Sequence, residues 1–135
     1  MPRFSKSSKE KLYTCDEKLQ RLFNQIIRHY DCTIIQGHRG EETQNEYFRQ
    51  GVTKVKYPNS KHNSIPSKAV DVMPYFVKQP HIRWQDYQHT IYFAGYVMGM
   101  ADAMGLKIRW GGDWNMNKDL ADNRFDDYCH YELKE

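Results

Sequence analysis

The sequence predicts an α+β fold, with helices packed on a small, largely antiparallel sheet. Three observations lead there. Helical and strand-like patterns mix without the regular βαβ alternation that would demand a parallel sheet. At 135 residues there is room for one domain, taken as 1–135, and little more. No repeat, linker or low-complexity tract divides the chain.

The elements follow from periodicity. After a polar N-terminal arm, Leu12, Cys15, Leu19, Leu22, Phe23, Ile26 and Ile27 recur in steps of three and four. That spacing predicts one buried helical stripe, with Thr14 or Asp16 capping its final stretch. Cys32–Ile35 reads as a short strand closed by Gly37, and Glu41–Gln50 as a helix stopped by Gly51. Residues 52–68 read as a loop. Ala69–Met73 then forms a strand ending at Pro74. A long helix is expected from about Trp84 to Met104, burying Ile91, Ala94, Met98 and Ala101 and ending at Gly105. Lys107–Trp110 is another strand, and Tyr128–Leu133 closes the chain as the last.

Totals narrow the function classes. The formal charge of +3 suits loose attraction to an anionic surface but selects none. Three cysteines, Cys15, Cys32 and Cys129, share no C-x-x-C spacing, so neither a disulfide scaffold nor a thiolate zinc finger is indicated. Free thiols of this kind fit folding in a reducing cytosol. The opening MPRFSKSSKEKLYT lacks the apolar stretch of a secretory signal, and no run approaches membrane-spanning length. No membrane insertion is therefore expected.

The chemistry concentrates at three places. Of six histidines, His29, His81 and His89 read as surface or packing residues. His62 stands just before the strand that carries Asp71. On that strand Val70 and Val72 share one face, so they enter the core while Asp71 faces a cleft. A carboxylate there requires a partner, because burying it unpaired is costly. An isolated Asp would be paired with Lys or Arg. The C-terminus shifts that balance, because Asp126, Asp127 and His130 lie within five residues. Two His and one Asp make three ligands for Zn²⁺ and leave a fourth position for water. A neighbouring carboxylate outside the metal shell is then the general base. Asp127 and His130 would face opposite ways in a flat strand, so a bend or bulge is expected between them.

The order S-x-H, A-x-D and D-x-x-H resembles the zinc peptidases of the D-alanyl-D-alanine carboxypeptidase and L-alanyl-D-glutamate endopeptidase family, phage endolysins above all. Gln36-Gly37-His38-Arg39 is similar to their strand-end G-x-R. Arg109-Trp110-Gly111-Gly112-Asp113-Trp114 is similar to their R-x-G-x-D-W segment. The resemblance implies that His62, Asp71 and His130 hold zinc, that Asp127 is the catalytic base, and that Arg39 steadies the oxyanion. It also implies a peptidoglycan substrate and scission between L-Ala and D-Glu. In the usual form six residues separate His from Asp and a Gly stands four before the Asp. Here eight intervene between His62 and Asp71, and Ser67 takes the glycine position. A loop absorbs two extra residues cheaply, and Asn63–Pro66 is the expected place.

Rivals exist at several positions. Cys129 adjoins a ligand, but neighbouring strand residues alternate, so it is expected to pack inward. Asp126 competes with Asp127 as base, and His38 is a candidate second catalytic group, although its neighbour Arg39 fits the strand-end motif better. Trp110 and Trp114 are candidates for the groove wall or for the core. At the level of function, a D-Ala-D-Ala carboxypeptidase shares the same metal set. A metal-dependent nuclease is suggested by the basic balance and the His62-Asn63 pair, but the basic residues are scattered and no phosphate-cradling glycine loop appears. A wall-binding module without catalysis is opposed by the presence of both Asp127 and Arg39. The expectation is a monomeric phage lysis enzyme without nucleic-acid partners, made in the host cytoplasm and acting on the cell wall after release.

Overall fold

A computed structural model describes residues 2–122 and 127–134. Asp126, the rival base, lies outside the described residues. The elements run α1 (Lys6–Tyr13), α2 (Glu17–Ile26), β1 (Cys32–Gln36), α3 (Glu41–Arg49), β2 (Ala69–Pro74), α4 (Tyr87–Ala103), β3 (Ile108–Trp110) and β4 (His130–Leu133). Two single 3₁₀ turns, Lys61–Asn63 and Leu120–Asp122, lie in the connections. The sheet is antiparallel throughout, in the order β1-β2-β4-β3.

The predicted N-terminal stripe is two helices, not one. Its apolar steps hold, and Leu12, Leu19, Leu22, Phe23 and Ile26 are all buried. The backbone nevertheless leaves the helix at Thr14–Asp16 to pair with the segment before β2. Ser67 N donates to Thr14 O at 2.9 Å, and Asp16 N to Ser67 O at 2.8 Å. Asp16 then caps α2 by accepting from Lys18 N. The break therefore anchors the approach to β2.

α4 is also turned relative to expectation. Phe93, Ala94, Val97 and Ala101 are its buried apolar residues, while Ile91 and Met98 are only partly covered. Its N-terminus is Tyr87, capped by Asp86, and Gly105 beyond its end takes φ +72°. That left-handed conformation suits glycine.

One sheet face builds the core and the other builds the site. Val70, Val72, Ile108, Trp110, Tyr131 and Leu133 join the helices in the apolar cluster. Tyr131 meets Phe23 edge-on, with ring centroids 5.5 Å apart. Burying a side chain such as Phe23 contributes about 1.5–3 kcal/mol. The other face follows from register. Asp71 lies opposite His130, and Arg109 opposite Glu132. Side chains directly opposite in an antiparallel pair share a face and lie close together. A shift in pairing between Ile34 and Gln36 brings Gln36 opposite Asp71 as well. Strand alternation thus separates the chemistry from the core.

Candidate metal centre and cleft

His62, Asp71 and His130 are buried together, and one ligand atom from each lies within 4.8 Å of the others. Asp71 Oδ1 is the shared centre, 3.3 Å from His62 Nε2 and 3.2 Å from His130 Nδ1. Ligands about 2.0–2.1 Å from a tetrahedral zinc stand roughly 3.3 Å from one another. The donor set therefore fits a zinc-sized ion. The remaining ring nitrogens are already engaged. His62 Nδ1 is 2.7 Å from Gly37 O, and His130 Nε2 is 2.8 Å from Glu132 Oε1. Each contact occupies the outer nitrogen and turns the inward one toward Asp71 and the cluster.

His62 arrives on the 3₁₀ turn. Ser60 caps it, accepting from His62 N, while Asn63 returns a side-chain bond to Ser60 N. The two extra residues between His62 and Asp71 leave this geometry intact. Ser64 and Pro66 close a small loop by a 3.0 Å hydrogen bond, and Ile65 at its tip is 85% exposed. Ser67, at the glycine position, is fully buried, and its hydroxyl donates to Ala69 O.

Arg39 lies at the cleft floor beside Asp71, with Nη2 3.5 Å from Asp71 Oδ2. Its Nε donates to Gln36 at 2.9 Å and its Nη1 to Gln44 at 3.0 Å. Gln44 also accepts from Asn63 Nδ2 and donates to Val55 O. Sequence reasoning missed Gln44 because a buried Gln on a helix carries no motif. It missed Glu132 for a related reason, since that residue matters only through cross-strand register.

Asp127 reaches the cleft from a turn. His130 N donates to Asp127 O at 3.1 Å, and Asp127 N to Gly111 O at 2.9 Å. This is the expected bend, and β4 starts only at His130. A side chain on Gly111 would meet Asp127 O at 2.0 Å, so only glycine fits there. Cys129 departs from expectation. It lines the cleft and donates its thiol to Asp127 Oδ1 at 3.4 Å. The local turn, rather than strand alternation, sets its direction. Of the two tryptophans weighed for the groove wall, Trp110 is core, while Trp114 lines the cleft and packs on His130 with centroids 5.3 Å apart. His29 is exposed, His81 stacks on Tyr75, and His89 pairs with Asp86.

The electrostatics match these contacts. Burial raises the Asp71 carboxyl, but the charges of and hydrogen bonds from His62 and His130 outweigh it and hold the group below the usual carboxylate range. Burial, and then the charge of Asp71, push Asp127 upward. Burial and the charges of the same two carboxylates push the Cys129 thiol upward. Around the cluster opens a cavity of about 570 Å³, whose wall includes Lys54, Trp84, Trp114 and Asp127. A wider hollow of about 1300 Å³ runs along α3, beside Glu41, Glu42 and Glu46, and contains none of the cluster residues.

The comparisons with known proteins agree with one another. A family model for phage L-alanyl-D-glutamate peptidase matches residues 1–134. The L-alanyl-D-glutamate peptidase of Escherichia phage T5 is 30% identical over 122 residues, covering 89% of this chain and 87% of that protein. The crystal structure of the Serratia marcescens L-Ala D-Glu endopeptidase ChiX shares the fold, with a TM-score of 0.75 and 24% identity over 98% of this chain and 90% of that one. The chain is a member of the phage L-alanyl-D-glutamate peptidase family.

Proposed function

We propose that this protein is a zinc endopeptidase that hydrolyses the L-Ala–D-Glu bond of peptidoglycan stem peptides. The observation that carries the reading is the buried His62–Asp71–His130 cluster, with both outer ring nitrogens already held. Family membership supports the peptidoglycan substrate. Zinc bound by these three residues would supply Lewis acidity toward the L-Ala carbonyl and make a neighbouring water more acidic.

The chain's own groups divide the remaining work. Asp127, whose carboxyl is pushed upward by burial and the charge of Asp71, accepts the proton of the attacking water and returns it to the departing D-Glu amine. Arg39 has five N–H donors, of which one on Nε and one on Nη1 bond Gln36 and Gln44, while Nη2 forms an ion pair with Asp71. The remaining N–H groups can serve the oxyanion, and these contacts fix their direction. Cationic Lys54 on the cleft wall suits the D-Glu carboxylate. No helix among the described residues is long and apolar enough to cross a membrane. The reading is of a lysis enzyme, monomeric and without nucleic-acid partners, made inside the host and acting on the wall after release.

Digestion of purified peptidoglycan, followed by mass spectrometry, tests this. The expected products are glycan strands bearing L-Ala and peptides beginning at D-Glu. Asp127→Asn should keep the metal and lose about 10²–10⁴-fold in turnover. Release of terminal D-Ala alone would make the protein a carboxypeptidase. Wall binding without cleavage would make it a recognition module, and DNA degradation with intact wall a nuclease.

A further inference from the structure

We propose that Glu132 is a positioning residue for His130, and that Arg109 and Trp114 hold the pair from outside. The inference rests on the zinc-site reading above. Glu132 is a 5% exposed carboxylate within the sheet, and a charge so buried is tolerated only when paired. Its two oxygens have separate duties. Oε2 faces cations, accepting from Arg109 Nη2 at 2.7 Å and Nε at 3.2 Å, with Lys61 Nζ at 3.3 Å. Oε1 is left to His130 Nε2 at 2.8 Å.

A proton kept on Nε2 leaves Nδ1 as the nitrogen that faces Asp71, and a hydrogen bond along the ring plane stops the ring from turning. The ring face is held as well. Trp114 packs on His130, and the Arg109 guanidinium lies over Trp114, 5.6 Å from its centroid. Arg109 therefore touches both Glu132 and Trp114. Strand pairing makes this automatic, because Arg109 is the register partner of Glu132 on the neighbouring strand. Lys61 completes the clamp from the other side and also donates to the Leu133 carbonyl.

Zinc affinity, measured by competition with a chromophoric chelator, tests the proposal. Glu132→Ala should weaken binding by about 10–100-fold, the usual effect of losing an outer-shell partner. Glu132→Gln retains an acceptor but not the charge and should fall between Glu132→Ala and wild type. Arg109→Gln, at the more exposed end of the clamp, should weaken zinc less than Glu132→Ala. Cobalt-substituted Glu132→Gln should show a shifted visible spectrum, a signature that a purely structural ion pair would leave alone. Circular dichroism checks folding, and if Glu132→Ala does not fold, the other two variants carry the test. Affinity within twofold of wild type and an unchanged cobalt spectrum in the folded variants would overturn the proposal while the zinc-site reading stands. A wild-type protein that binds no zinc would overturn both.

Discussion

The two histidines of the cluster are held by different materials. The His62 ring rests on main chain, its Nδ1 lying 2.7 Å from the Gly37 carbonyl oxygen. The His130 ring rests on side chains, with Glu132 at its edge, Trp114 on its face and Arg109 and Lys61 behind. Main-chain support is fixed once the fold forms and resists most substitutions. Side-chain support depends on charge and can be altered one residue at a time. The two sides should therefore fail differently when disturbed.

Metal removal should separate them most clearly. Zinc at a thousandfold excess over its Kd stabilises the folded state by about 4 kcal/mol, and a chelator withdraws that amount. The fold should survive, because the apolar cluster lies on the opposite sheet face. Amide hydrogen exchange should accelerate more in Arg109–Trp114 and β4 than around Gly37 and His62. Equal acceleration on both sides would break the comparison.

The metal-free protein should also show a charge signature in its stability against pH. Burial alone would lower His130, but hydrogen bonds to Asp71 and Glu132 raise it to about 9 from 6.5. A raised group gives stability that is complete below 6.5 and lost as pH rises through about 9. Burial would raise Glu132, yet its bonds to His130 and Arg109 bring it from 4.5 to about 2. That contribution is complete above 4.5 and lost as pH falls through about 2. Thermal unfolding of the chelated protein should therefore peak between about 4.5 and 6.5. Glu132→Gln should flatten both shoulders.

Gly37→Ala tests the main-chain side. An added Cβ would stand 2.3 Å from Thr14 Oγ1 and 2.4 Å from Lys11 O. The second neighbour is backbone and cannot swing away, so overpacking should cost about 1–3 kcal/mol. The displaced carbonyl would also release His62 Nδ1. Melting temperature and zinc affinity should fall together, whereas Arg109→Gln should lower affinity with little effect on melting. An unchanged zinc affinity in Gly37→Ala would show that His62 is not held in this way.

The same division explains what was legible in the sequence. Val70-Asp71-Val72 alternates, so the side facing the cleft could be read from period two alone. The bend between Asp127 and His130 followed from their odd separation. Glu132 was invisible because its meaning lies in the pairing with Arg109, 23 positions away. The break at Thr14–Asp16 depends on Ser67, a tertiary partner that no local pattern announces. α4 misled for another reason. Phe93, Ala94, Val97 and Met98 are apolar in close succession, and Tyr92 beside them is 71% exposed, so the stripe is too broad to define one face.

The smallest expected effect lies between His130 and Glu132 themselves. Tyr131 points to the core, fully buried, and its hydroxyl finds no hydrogen-bond partner among the described residues. A buried hydroxyl left unsatisfied costs about 1–3 kcal/mol, so Tyr131→Phe should hold or raise stability, by up to about 1 kcal/mol once repacking is included. The ring contacts with Phe23 and Phe93 remain available to Phe. Zinc affinity and turnover should stay at wild-type values, because alternation places the substitution on the other face from its two neighbours. Thermal unfolding together with a zinc titration on one preparation checks both halves. A loss of zinc affinity in a stable Tyr131→Phe protein would mean that the core face of β4 also governs His130, and that side-chain support extends through the sheet.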